Sequence, residues 1–127
     1  MPSTRIVAES LASCLTAFTI NADNSLVDRR EWAGLEGVAP DGICLNENNQ
    51  VWVANALAPE VLLVAEGGEI LDRVETSQPC YACMLGGRDG KTLFALTAAS
   101  SDAEQASAVT TGKIETVQVS AARAGWP

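Results

Sequence analysis

Apolar and polar residues alternate along this chain in short runs separated by clusters of turn formers, the pattern of β-strands rather than of helices. Residues 5–9 alternate weakly, and residues 14–20 carry Leu15, Thr16, Phe18, Thr19 and Ile20, side chains that favour a pleated surface. The turn formers Asn21-Ala22-Asp23-Asn24-Ser25 separate that run from residues 26–35, which alternate around Arg29, Arg30 and Trp32 and read as an outer strand with exposed charges. After breaks at Gly34, Gly37 and Pro40, Ile43 and Leu45 alternate. A polar cluster, Asn46-Glu47-Asn48-Asn49-Gln50, then gives way to the β-rich run Val51-Trp52-Val53-Ala54. This is a hairpin, and asparagine tolerates the left-handed conformation that a glycine would otherwise supply in its turn. Further hairpins are expected over 61–65 and 70–75, around Glu66-Gly67-Gly68-Glu69, and over 80–85 and 92–97, around residues 86–90. A polar, Ala/Ser-rich loop over 98–111 precedes a last strand over 113–119. The count is about ten short strands at near-regular spacing and no convincing helix, an all-β assembly.

The repeat within that series is a four-stranded antiparallel unit. Residues 42–75 make one complete unit, residues 5–35 most of the one before it, and residues 80–119 most of the one after. At 127 residues, 47% of them hydrophobic and 19% charged, the chain can bury one core, so residues 1–127 are expected to form a single domain.

Charge and composition narrow the chemistry. Eight Lys and Arg against sixteen Asp and Glu leave a net charge of −8, which opposes both a phosphate backbone and an anionic membrane surface. The longest apolar runs, such as Val61-Leu62-Leu63-Val64-Ala65, fall far short of a bilayer span, and the start carries no apolar leader segment, so a cytoplasmic location is expected. Histidine is absent, so acid–base or metal chemistry must use carboxylates, amides or thiols, and hard, oxygen-preferring cations become the plausible metals. Cys80 and Cys83 have the local spacing of a zinc or disulfide pair, but Cys14 and Cys44 are far apart and supply no second pair. An offset of three on one extended strand puts Cys80 and Cys83 on opposite faces; both are read as small buried or channel-lining residues. Trp32, Trp52, Phe18, Phe94 and Tyr81 are read as wedges between packed sheets, and Trp126 as a seal at an edge. The acidic residues Asp102 and Glu104 are read as solvated.

Asp41 is the residue singled out for chemistry. It lies between Pro40, which fixes its own φ, and Gly42, which relaxes the backbone, at the lip of a buried strand. On turn chemistry alone, Pro-Asp-Gly reads as a plain turn.

Pro40-Asp41-Gly42-Ile43-Cys44 followed by Val51-Trp52-Val53-Ala54 resembles the "PDG…(V/L)WVA" segment of the SMP-30/gluconolactonase (regucalcin-like) family. Leu15-Thr16-Ala17-Phe18 with the segment from Asp23 to Arg30 resembles its "(L/I)TAF…DGSLSNRR" strand pair. Cys83-Met84-Leu85-Gly86-Gly87 with Thr92-Leu93-Phe94 resembles its "C.FGG…TLY" hairpin. The likeness runs in unbroken order from about Arg5 to Pro127. It implies a partial β-propeller, about three blades from the C-terminal half of a six-bladed ring, completed or covered by oligomerisation, with a homodimer the expected partner arrangement.

The resemblance also implies a site. In the family a divalent metal at the channel mouth polarises a lactone carbonyl, and the aspartate of the "PDG" segment is one of its ligands. Asp41 is therefore the expected metal ligand and catalytic carboxylate, with calcium the expected cation before zinc or manganese. Asn55, Thr97 and Cys83 are expected to line the channel beside it. The family's other ligands, a glutamate and an asparagine, have no counterpart in this chain. Two expectations follow: a propeller fragment that lacks the full lactonase site and needs no metal, or a metal-dependent lactone or ester hydrolase whose site is assembled around Asp41 in a homo-oligomer.

Overall fold

The computed structural model describes residues 3–125, which form ten strands in three antiparallel sheets. The first sheet orders β1 (Ser3–Glu9), β2 (Cys14–Ile20) and β3 (Leu26–Gly34). The middle sheet orders β4 (Pro40–Leu45), β5 (Val51–Asn55), β6 (Glu60–Val64) and β7 (Ile70–Glu75). The last orders β8 (Cys80–Gly86), β9 (Thr92–Thr97) and β10 (Lys113–Gln118). This is the all-β architecture expected from the strand spacing and the partial propeller that the resemblance implies, with one complete four-stranded blade between two three-stranded ones.

The sheets stack face to face, so the middle one is covered on both sides. Val51, Val53, Leu62 and Val64 pack against Leu15, Ala17, Trp32 and Ala33 of the first sheet. Trp52, Ala54 and Val61 point the other way, into Cys80, Cys83, Leu85, Leu93 and Ala95 of the last. Every residue of β5 is buried, which is why its sequence is an apolar run and not an alternation. The flanking sheets each keep one open face. On the last sheet, cross-strand pairing puts Met84 beside Phe94, Ala82 beside Leu96 and Ile114 beside Leu96, with Leu96 and Ile114 exposed. On the first sheet the register sets Phe18 beside Arg5 and Val7 beside Thr16, away from the core. Trp32 and Trp52 are thus the expected wedges, whereas Phe18 and Phe94 are half-buried on the open faces. The reading of Trp126 as an edge seal lies outside the described residues.

Three local readings change. Pro-Asp-Gly is not a turn: it opens β4, where Pro40 pairs with Asn55 and Ile43 with Val53, so Asp41 and Gly42 together oppose the single residue Ala54. That two-against-one register is a β-bulge, made possible by a glycine where the strand must bend. A matching irregularity lies in β8, between Cys80 and Ala82. It adds one residue, Tyr81, and so brings Cys80 and Cys83 onto the same core-facing side, against the expectation of opposite faces for an offset of three. The third change is a short helix, α1 (Ala103–Ala108), inside the expected loop; Asp102, read as merely solvated, is its N-cap and accepts from the Gln105 N–H at 3.0 Å.

The glycine-free turn of the central hairpin is built as its asparagines suggested. Asn49 holds φ 58°, and the buried Asn46 carboxamide accepts from the N–H groups of Asn48 and Gln50 at 2.9 and 3.0 Å. The C-terminal segment crosses this turn: Glu47 N–H donates to the Ala122 carbonyl and Arg123 N–H to that of Gly90, tying the middle and last sheets together. Asn46→Ala is expected to cost about 1–2 kcal/mol, because two backbone donors lose their acceptor in a half-buried turn. Urea unfolding measures this, and Asn46→Asp, which keeps the acceptor, should lose less.

Candidate functional site

Strand register gathers the candidate residues at one rim of the stack. Pro40, at the start of β4, faces Asn55 at the end of β5, and Cys80, at the start of β8, faces Thr97 at the end of β9. Asp41 is exposed at this rim, aimed outward by the bulge. The Ser10 hydroxyl donates to the Pro40 carbonyl at 2.7 Å and so fixes the residue before it to the 3-10 turn that follows β1. Beneath Asp41 the bulges of β4 and β8 meet: a Cβ on Gly42 would lie 2.6 Å from Ala82 Cα and 3.1 Å from the Tyr81 carbonyl. Burial pushes the Cys80 thiol up, and the Asp41 carboxylate nearby adds to that shift.

The other predicted residues are engaged in structure. Asn55 is buried; its Oδ1 accepts from Ala39 N–H at 3.3 Å and Leu57 N–H at 3.0 Å, and its Nδ2 donates to Glu60 at 2.9 Å. Thr97 is buried too. Its hydroxyl donates to Glu115 Oε2 at 2.6 Å and accepts from Gln78 Nε2 at 3.2 Å. Cys83 lies between the middle and last sheets, its thiol directed at the Gly42 carbonyl (3.5 Å), the Trp52 carbonyl (3.6 Å) and Cys44 Sγ (4.0 Å).

Two acidic groups that the sequence pattern did not single out are the best-held carboxylates near this rim. Glu115 accepts from Thr97 and from both the N–H and hydroxyl of Ser77, and the Thr97 hydroxyl chiefly holds its carboxyl below the ordinary value. Glu9, on the open face of the first sheet, accepts from the buried Thr16 hydroxyl and from Arg29 at 2.9 Å; the Thr16 bond is the largest cause of its lowered pKa. The available signal was Glu9 sharing a strand face with Arg5 and Val7. Its partner Arg29 comes from two strands away, which alternation does not reveal.

The donors at the rim do not make a cation cage. Calcium takes about six to eight oxygens, and among the described residues no group of three or more Asp, Glu, His or Cys side chains is placed to hold a metal ion. Asp41 alone does not fit the group.

Solved structures share the fold, and two of them illustrate it. A luciferin-regenerating enzyme superposes with a TM-score of 0.80 at 17% identity, over 94% of this chain and 43% of its own length. A regucalcin from Agrobacterium tumefaciens, described as a calcium-binding protein, does so with a TM-score of 0.76 at 15% identity, again over 94% and 43%. The chain therefore spans less than half the length of these propellers. No curated protein sequence matches it. Among the described residues no helix is long and apolar enough to cross a membrane. Residues 2–99 match the SMP-30/Gluconolactonase/LRE-like region, and the chain belongs to that family.

Proposed function

We propose that this chain is a gluconolactonase-like propeller segment that keeps Asp41 but lacks the full metal-dependent lactonase site and, by itself, hydrolyses no lactone. The observation that carries this reading is the rim itself, where the exposed Asp41 belongs to no group of three or more Asp, Glu, His or Cys side chains placed to hold a metal ion among the described residues, while Asn55 and Thr97 are committed to strand-end hydrogen bonds. A solved neighbour of the same fold is described as calcium-binding, which makes calcium the first cation to try, ahead of zinc and manganese. Residues 1–127 act as one folding unit in this reading, placed in the cytoplasm.

A second reading is favoured by the open faces. Leu96 and Ile114 on the last sheet and Val7 on the first are apolar and exposed, and soluble proteins cover such faces. A second copy would cover them and bring another Asp41, giving a homodimer in which a metal-dependent lactone or ester hydrolase site is rebuilt.

Calorimetric titration of metal-free protein with calcium, manganese and zinc, beside Asp41→Ala and with light scattering on the same samples, separates the two. The first reading expects no saturable binding and no lactonase activity, whatever the oligomeric state. Saturable binding by a dimer, lost in Asp41→Ala and accompanied by lactone turnover, would replace it with the second.

A further inference from the structure

We propose that Cys44 and Cys83 form a redox pair that a hydroperoxide converts into a disulfide between the middle and last sheets. Their sulfurs lie 4.0 Å apart in a packed interface, on β4 and β8, strands whose backbones touch at Gly42 and Ala82, one or two residues from each cysteine. A disulfide needs the sulfurs about 2.05 Å apart, so closure takes a displacement of about 2 Å, within the reach of two side-chain rotations when the strand spacing is already fixed.

The two thiols are equally buried, each 7% exposed, but differ in surroundings. Cys44 borders two clefts, one of about 290 Å³ towards Ile6, Trp32 and Glu66 and one of about 360 Å³ towards Met84 and Arg123; the second lies on the last-sheet side that its sulfur faces and is the approach for a small oxidant. Cys83 is held inward, against the carbonyls of Gly42 and Trp52. The hydrogen bond from Cys83 also favours the Cys44 thiolate, whereas Cys83 itself is shifted up. Cys44 is thus the attacking sulfur. Its thiolate attacks the distal oxygen of the peroxide: the O–O bond breaks, an S–O bond forms to that oxygen, and the other oxygen leaves as alkoxide, or as hydroxide from hydrogen peroxide, and takes up the proton shed by the Cys44 thiol. The Cys83 sulfur then attacks Cys44 Sγ; the S–S bond forms, the S–O bond breaks, and the departing oxygen leaves as water with the Cys83 proton. Two thiols lose two electrons, and one hydroperoxide is reduced.

The reaction removes the single Cys83 S–H, whose sulfur lies 3.5 Å from the carbonyl of Gly42, the residue after Asp41. It also joins residues 44 and 83 covalently, closing a long loop of the unfolded chain.

The test treats the full chain with hydrogen peroxide, counts free thiols after denaturation and maps the linked peptides after trypsin. Free thiols are expected to fall from four to two, with residues 31–73 joined to residues 74–88. Because Cys80 and Cys83 share a tryptic peptide, Cys80→Ser is the deciding variant: the link persists in it and disappears in Cys83→Ser, where dimedone labels Cys44 instead. The oxidised wild type should also unfold at a higher urea concentration than the reduced. Retention of four thiols, a link within 74–88, a link that survives Cys83→Ser, or cross-linked chains through Cys14 would each overturn the proposal. The wild-type and Cys80→Ser maps decide it even if the other variants fail to fold.

Discussion

Trp52→Ala is expected to lower the free energy of unfolding by about 3–5 kcal/mol, the range for deleting a large aromatic from a packed core. Trp52 is 2% exposed and sits between the middle and last sheets among Cys44, Ala54, Val61, Cys83, Leu85 and Leu93. The neighbours that would have to collapse into the space are strand residues held by cross-strand ladders on both sides, so relaxation is limited and the cavity term stays large. A segment with two open sheet faces has little stability to spare, and a loss of this size approaches the whole of a small domain's margin. Denaturant unfolding followed by circular dichroism measures it, with Trp52→Phe as the smaller truncation that should lose less. A loss under about 1 kcal/mol would mean that the two sheets do not pack as described.

Gly42→Ala should cost close to 3 kcal/mol, the upper end for overpacking, because the added methyl meets backbone and not a movable side chain. Its Cβ would stand 2.6 Å from Ala82 Cα, so β4 and β8 must separate. Separation would also move Cys44 from Cys83 and shift Asp41 at the rim, so slower disulfide formation under peroxide should accompany the loss of stability. Gly112→Ala is the control: nothing lies within 4 Å of its Cβ, and its unfolding midpoint should stay near that of the wild type. Equal midpoints for the two variants would remove the close approach on which the geometry of the rim rests.

The residues show why some of this was legible beforehand. Val51-Trp52-Val53-Ala54 announces a doubly covered strand because a sheet packed on both faces needs apolar groups at every position, and Asn49 announces a left-handed turn because few other residues tolerate one. The capping pair Asp102 and Gln105 was also present to be read, although a helix of six residues with no buried face leaves no apolar stripe. Asp41 was identified by its motif, but its setting was misjudged, since Pro-Asp-Gly is compatible with a turn and with a bulge and only the register against Ala54 separates them.

The sequence by itself determined the ten strands, their hairpin pairings and the family, because period-two alternation and turn chemistry act over a few residues and fix which neighbouring strands pair. Only the tertiary structure decided that Cys80 and Cys83 share a face, that Cys44 lies against Cys83, that Glu115 is held by Ser77 and Thr97, and which apolar faces stay open. Each of these depends on how one sheet stacks on the next or on a single residue added at a bulge, and contacts between groups about 20 to 40 positions apart leave no periodic trace in the chain.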